Sequence, residues 1–134
     1  MKELILSIDQ GTTGTTVLVL DSELNVLSKK NNEFPQYYPQ PGWVEHDSGE
    51  IWESTVKTMD QALIMAQADP SRIAAIGITN QRETTTVWHR SNSKPIHKSI
   101  VWQDRRTAPF CAKLKKEGKE KFIRAWFPSC TGFP

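Results

Sequence analysis

The segment Asp9-Gln10-Gly11-Thr12-Thr13 lies between two short apolar runs, residues 4–8 and 17–20, and it limits what this chain can become more than any other stretch. Runs of this length, rich in Ile, Leu and Val and parted by a glycine-bearing turn, predict a β-hairpin. Gly11 can take a positive φ and lets backbone N–H groups approach a ligand, while Thr12, Thr13, Thr15 and Thr16 line the turn with hydroxyls. A concavity of this kind suits phosphate oxygens. Asp9, expected at the last position of the first strand, accepts hydrogen bonds only when ionised and is placed to hold a hydrated Mg²⁺ against them. Asp and Gly are also ordinary turn residues and Thr an ordinary strand former, so the hairpin alone does not decide the chemistry.

At 134 residues the chain has the length of one modest domain. A net charge of +2 is too small to imply a nucleic-acid partner or a membrane surface. The basic run at 113–124 reads as the solvated face of a helix. Cys111 and Cys130 form no C-x-x-C pair and no metal spacing with His46, His89 or His97, which suggests reduced thiols in a cytoplasmic protein. No apolar stretch reaches signal-peptide or membrane-spanning length.

A polar turn at 21–25 lets residues 26–34 return as a third antiparallel strand, giving a three-strand meander. Prolines and a glycine at 35–42 exclude regular structure and mark a fixed loop. A helix should begin near Asp47 or Ser48, with Glu50 in capping-box position. Its apolar positions Trp52, Val56, Met59, Leu63 and Ala66 share one helical face, so Trp52 and Met59 are expected in the core. Asp69-Pro70 should end it. The apolar run 73–79 reads as a central strand buried on both faces. Further strands are expected at 84–88 and 99–102, and a last helix from about Thr107, carrying Cys111, Leu114, Phe122 and Ile123. This order suits an α/β fold with a mixed sheet and flanking helices. By analogy it is the ribonuclease-H-like arrangement, which opens on a phosphate-binding hairpin.

Arg82, Glu83 and Trp102 fall where strands give out, the place where ligands bind in α/β sheets. The guanidinium of Arg82 and the carboxylate of Glu83 can address adjacent hydroxyls of a polyol, and Trp102 can cover its carbons. An exposed ion pair between Arg82 and Glu83, with no further role, is the competing reading.

Together, DQGTT, PQPGWVEHD, GITNQRETTTVW and IVWQDRRTA resemble the glycerol kinases, a branch of the FGGY family of carbohydrate kinases, with similarity from about Leu4 to Arg124. The resemblance implies an actin-like ATPase fold and MgATP-dependent phosphorylation of glycerol to sn-glycerol 3-phosphate in the cytoplasm. On matching positions it implies that Gly11, Thr12, Thr13 and Gly14 contact nucleotide phosphates, with Thr12 also near the product phosphate. It further implies Asp9 beside Mg²⁺, Arg82 and Glu83 on glycerol hydroxyls, and Trp102 against its carbons. Family members are often homo-oligomeric.

Two departures from the family stand out. Thr16 occupies a position where many members carry Arg. Members are also several times longer, with a second domain that holds the adenosine pocket and an Asp acting as general base; no position here matches either. A truncated or frameshifted kinase is therefore expected, with a partial domain at 1–124 and a divergent tail at 125–134. An incomplete sheet should leave it marginally stable, and as an isolated chain inactive. Remaining alternatives are a sister kinase of pentuloses or other polyols and a non-catalytic nucleotide-binding remnant.

Overall fold

The computed structural model describes residues 3–126. Its main sheet has four strands, with residues 26–33, 14–20, 4–10 and 73–79 side by side in that order. Strands β1 (Leu4–Gln10) and β2 (Gly14–Leu20) form the expected hairpin, and β3 (Val26–Glu33) completes an antiparallel meander. Alternation along the strands sends Leu4, Leu6, Ile8, Val17 and Val19 to one face, where Leu6 pairs with Val19 and Ile8 with Val17. The 21–25 turn is held by Asp21, whose carboxylate accepts the N–H groups of Glu23 and Asn25, each at 2.9 Å.

Helix α1 (Ser48–Met65) packs across β2 and β3 on that face. Asp47 is its N-cap, accepting from Gly49 N–H at 2.9 Å. Glu50 does not close a reciprocal capping box; its Oε1 accepts from Tyr37 Oη at 2.7 Å instead. The buried stripe of the helix is Ser54, Thr58 and Ala62, with Met59, Leu63 and Ala66 at its margin. Trp52 is 68% exposed and lies outside the core. Small residues let the helix settle close on the strands, and the hydroxyls stay satisfied: Thr58 donates to Ser54 O at 2.6 Å, and Ser28 of β3 donates to Ala62 O at 2.7 Å. The helix ends earlier than Asp69-Pro70. Gln67 takes φ 50°, and Ala68 N–H bonds Leu63 O while Gln67 N–H bonds Ile64 O, a Schellman closure. A 3-10 turn at Pro70–Arg72 then leads into β5.

Strand β5 (Ile73–Thr79) pairs parallel with β1, across the crossover that contains α1. It was expected to be buried on both faces, yet all of 74–79 is exposed. Among the described residues it forms the sheet edge, and α1 lies over β2 and β3 rather than over it. A small second sheet joins β4 (Glu45–His46) to β6 (Ser99–Ile100), extended by isolated bridges from Tyr37 to Glu45 and from Thr85 to Ile100. The stretch 84–88 is therefore not a continuous strand, and β6 stops two residues before Trp102. Helix α2 (Ala108–Lys116) starts after Thr107, with Pro109 in its first turn, as anticipated. Gly118 at φ 72° separates it from α3 (Glu120–Trp126), so the single helix expected there is two. Helix α3 runs across the boundary expected at 124; the rest of the proposed tail, with Cys130, lies outside the described residues.

Candidate functional site

The hairpin turn is closed by Gly11 N–H donating to Gly14 O at 3.0 Å, around Thr12 and Thr13. Strand β1 continues one residue past Asp9, to Gln10. Gly11 does not use a positive φ. A Cβ there would stand 3.2 Å from Gly14 O, a tight contact that glycine avoids. At Gly14 the demand is stronger, since a Cβ would come within 2.6 Å of Asn32 O across the β2–β3 ladder. Among the described residues, no protein acceptor takes the N–H of Thr12 or Thr13, and the exposed Asp9 carboxylate makes no ion pair. Free backbone donors beside hydroxyls and a free carboxylate form a donor set that fits phosphate and a hydrated divalent cation. Thr16, on β2, is occupied otherwise: its Oγ1 accepts from Asn31 Nδ2 at 2.9 Å.

Residues 80–83 are brought to this turn by Gln81. It is buried, and its Nε2 donates to Gln10 Oε1 at 3.1 Å and to Gly11 O at 3.4 Å, while its Oε1 accepts from Thr84 Oγ1 at 3.0 Å. Arg82 and Glu83 then project from the loop, both exposed. They form no ion pair with each other or with any described residue, which removes the reading of a mutual surface pair. Glu83 sits at φ 64°, a region that costs a residue with a Cβ about 1–3 kcal/mol.

Trp102 closes the group from a third segment. Its Nε1–H donates to Thr12 Oγ1 at 3.0 Å, and its ring stays half exposed. Since Thr12 Oγ1 accepts that proton, the Thr12 hydroxyl proton is free to be donated elsewhere. The structure thus gathers the hairpin turn, the Arg82-Glu83 loop and Trp102 into one place, through the Gln81–Gln10 and Trp102–Thr12 bonds.

Gln81 and Gln10 were not singled out from the sequence, although both lie inside the quoted motifs. Another unforeseen feature is a mostly buried ion cluster behind Trp102. Arg106 Nη2 bonds Glu45 Oε1 at 2.7 Å and Asp104 Oδ2 at 2.8 Å, and its guanidinium lies 3.8 Å over the Trp43 ring. Burial works to raise the Asp104 carboxyl, but the hydrogen bonds from Arg106 and from Val44 N–H outweigh it and hold the group below the usual carboxylate range. His46 is fully buried, edge-on to Phe34 at 5.1 Å between ring centroids. Burial lowers its pKa, opposed in part by the neighbouring Gln81 side chain.

Comparison with known proteins identifies the family and the fold. Residues 4–129 match the N-terminal domain of the FGGY family of carbohydrate kinases. The chain is 56% identical over 120 residues to glycerol kinase 2 of Thermotoga maritima, and 58% identical over 117 residues to the glycerol kinase of Sinorhizobium fredii. These alignments cover 90% and 87% of this chain but 24% of each relative, so the chain spans about a quarter of their length. The fold matches the crystal structure of Plasmodium falciparum glycerol kinase with ADP, at 34% identity and a TM-score of 0.79 over 90% of this chain and 24% of that one. A ligand-bound xylulose kinase from Lactobacillus acidophilus shares the fold at a TM-score of 0.84 and 20% identity, again over about a quarter of its length. The α/β architecture is thus the one expected, the actin-like fold of these kinases in part.

Proposed function

Because the chain belongs to the FGGY family of carbohydrate kinases, we propose that it carries the phosphate and polyol halves of a site that phosphorylates glycerol to sn-glycerol 3-phosphate with ATP. The observation that carries this reading is the unpaired, exposed Arg82–Glu83 pair bonded through Gln81 to a turn whose own N–H groups are free. The identity to glycerol kinases, above one half, supports glycerol as the substrate within the family.

Arg82 donates to one glycerol hydroxyl and Glu83 accepts from its neighbour, which fixes the orientation of the triol. Trp102 covers the carbon skeleton, and its bond to Thr12 ties that wall to the phosphate turn. Thr12 and Thr13 offer N–H groups and hydroxyls to nucleotide phosphates, with Gly11 and Gly14 allowing the backbone to come near. Asp9 is the residue that would hold Mg²⁺ through its water shell, and the cation when bound neutralises phosphate charge. Phosphoryl transfer depends mainly on positioning and charge neutralisation, and these residues supply both around the acceptor. The general base and the adenosine pocket match no position of this chain on the family pattern. We accordingly place turnover in an assembly that includes them, in the cytoplasm and in a homo-oligomer. We keep 1–124 as the kinase unit and 125–134 as a tail.

A chimera tests the substrate. Residues 4–124 replace the matching segment of the Thermotoga maritima enzyme, and ADP formation is followed with glycerol and with xylulose. Glycerol-dependent turnover is expected, falling about 10–100-fold in kcat/KM with Arg82→Ala, the loss of one charged hydrogen bond. Preference for xylulose, or indifference to Arg82→Ala, would refute the assignment.

A further inference from the structure

Trp102 is 52% exposed, so packing alone does not set where its ring points. Two things remain to fix it: the bond to Thr12 and the rigidity of the backbone turn at 101–104. That turn is closed by Asp104 N–H donating to Val101 O at 2.9 Å. Both its ends are fastened to a single residue. Val101 N–H donates to Val44 O at 3.1 Å, and Val44 N–H donates to Asp104 Oδ2 at 2.7 Å. Asp104 is thus the clasp, and its side chain is only 3% exposed.

The clasp has a cost. A second carboxylate, Glu45 at 7% side-chain exposure, bonds the same guanidinium. Two nearly buried anions in one cluster are tolerable only with a cation between them, and Arg106 is that cation. Its Nε bonds Asp104 Oδ1 at 2.9 Å, its Nη2 bonds both carboxylates, and its own N–H bonds Asp104 Oδ1 at 2.8 Å. Trp43 covers the guanidinium face, and Arg105 N–H donates to Gly42 O at 2.7 Å, anchoring the other side of the loop.

We infer that Arg106 is a positioning residue for the polyol wall: through Asp104 and Val44 it holds the 101–104 turn so that Trp102 meets Thr12. A lysine cannot replace it. One ammonium cannot span both carboxylates in the fork geometry or stack on Trp43. The assignment of the wall to a polyol rests on the function proposed above; the control of Trp102 by Arg106 does not.

The test uses the ¹⁵N-labelled 134-residue chain and the indole N–H resonance of Trp102, identified by its absence in Trp102→Phe. Thr12→Val supplies the position of an indole without its acceptor. In Arg106→Lys the Trp102 resonance should move to the Thr12→Val position and lose its protection from hydrogen exchange, while amides of β1 to β3 and α1 keep their shifts. Asp104→Asn, which keeps an acceptor for Val44 N–H but weakens the grip of the guanidinium, should move the resonance part of the way and serves if Arg106→Lys fails to fold. A Trp102 resonance unchanged in a folded variant of either kind overturns the inference. Glycerol added to the unsubstituted chain is a separate arm: silence there with the Arg106→Lys shift intact counts against the polyol reading and leaves the positioning role standing.

Discussion

His46 has no acceptor or donor for either ring nitrogen among the described residues, and it is fully buried. Its position at the paired end of the small sheet, beside Gln81, puts the only inward-facing imidazole next to the link between the two halves of the site. Burial lowers its pKa, so the folded state keeps the ring neutral where the unfolded chain would take a proton. The unfolded state then binds more protons as pH falls through about 6.5, the ordinary histidine value. The contribution of His46 to stability is therefore full above that value and is lost below it, levelling off beneath the folded pKa. Thermal melts between about pH 7.5 and about pH 5.5 should show a falling midpoint, and His46→Gln should flatten the slope. An equal slope in the variant would place the titrating group elsewhere. At this scale, the sequence disclosed the residues whose type announces chemistry, namely Asp9, Arg82, Glu83 and Trp102. Gln81 stayed hidden because an amide carries no such announcement and its partner Gln10 is far away in the chain. Arg106 was hidden for a related reason: its meaning depends on Glu45 and Trp43, which only the second sheet brings near.

Element by element, periodicity identified the type of structure better than its surroundings. The meander and the starts of α1 and α2 stand where the pattern put them, while α1 stops short of its expected end. In α1 the apolar spacing pointed to Trp52 and Val56, yet the helix turns Ser54, Thr58 and Ala62 inward. Hydrophobicity counted along a helix cannot register that a small residue with a satisfied hydroxyl permits closer approach than a Trp. Strand β5 shows a similar limit. An apolar run states what a strand is suited to cover, and coverage depends on what lies above it. Leu6 and Ile76 are cross-strand partners, but Leu6 is 1% exposed and Ile76 is 55% exposed. Leu6→Ala should cost about 2–5 kcal/mol, the range for emptying a packed leucine site, and Ile76→Ala less than about 1 kcal/mol. Urea unfolding of both variants measures the difference, and equal losses would mean that β5 is covered in solution.

As a whole, the described residues form a four-stranded sheet with α1 across half of one face, a smaller sheet whose β6 leads to Trp102, and the helices α2 and α3 beyond it. Exposed Ile76 and Ile78 on β5, with Trp52, Ile64 and Met65 on α1, leave apolar surface open to water. Uncovered surface and a free strand edge favour self-association, so marginal stability remains our expectation for the isolated chain. The loop after β5 and the turn after β6 nevertheless both reach the hairpin, through the Gln81–Gln10 and Trp102–Thr12 bonds. No helix among the described residues is long and apolar enough to cross a membrane. We place phosphate and polyol recognition together in these 134 residues, a proposal open to direct test. Its most direct test is an amide and indole shift map of the ¹⁵N-labelled chain, titrated separately with glycerol and with MgADP. Saturable shifts at Arg82, Glu83 and Trp102 with glycerol, and at Asp9, Thr12 and Thr13 with MgADP, are the predicted result. A folded chain in which neither ligand moves those residues, or in which the shifts fall elsewhere, would contradict it.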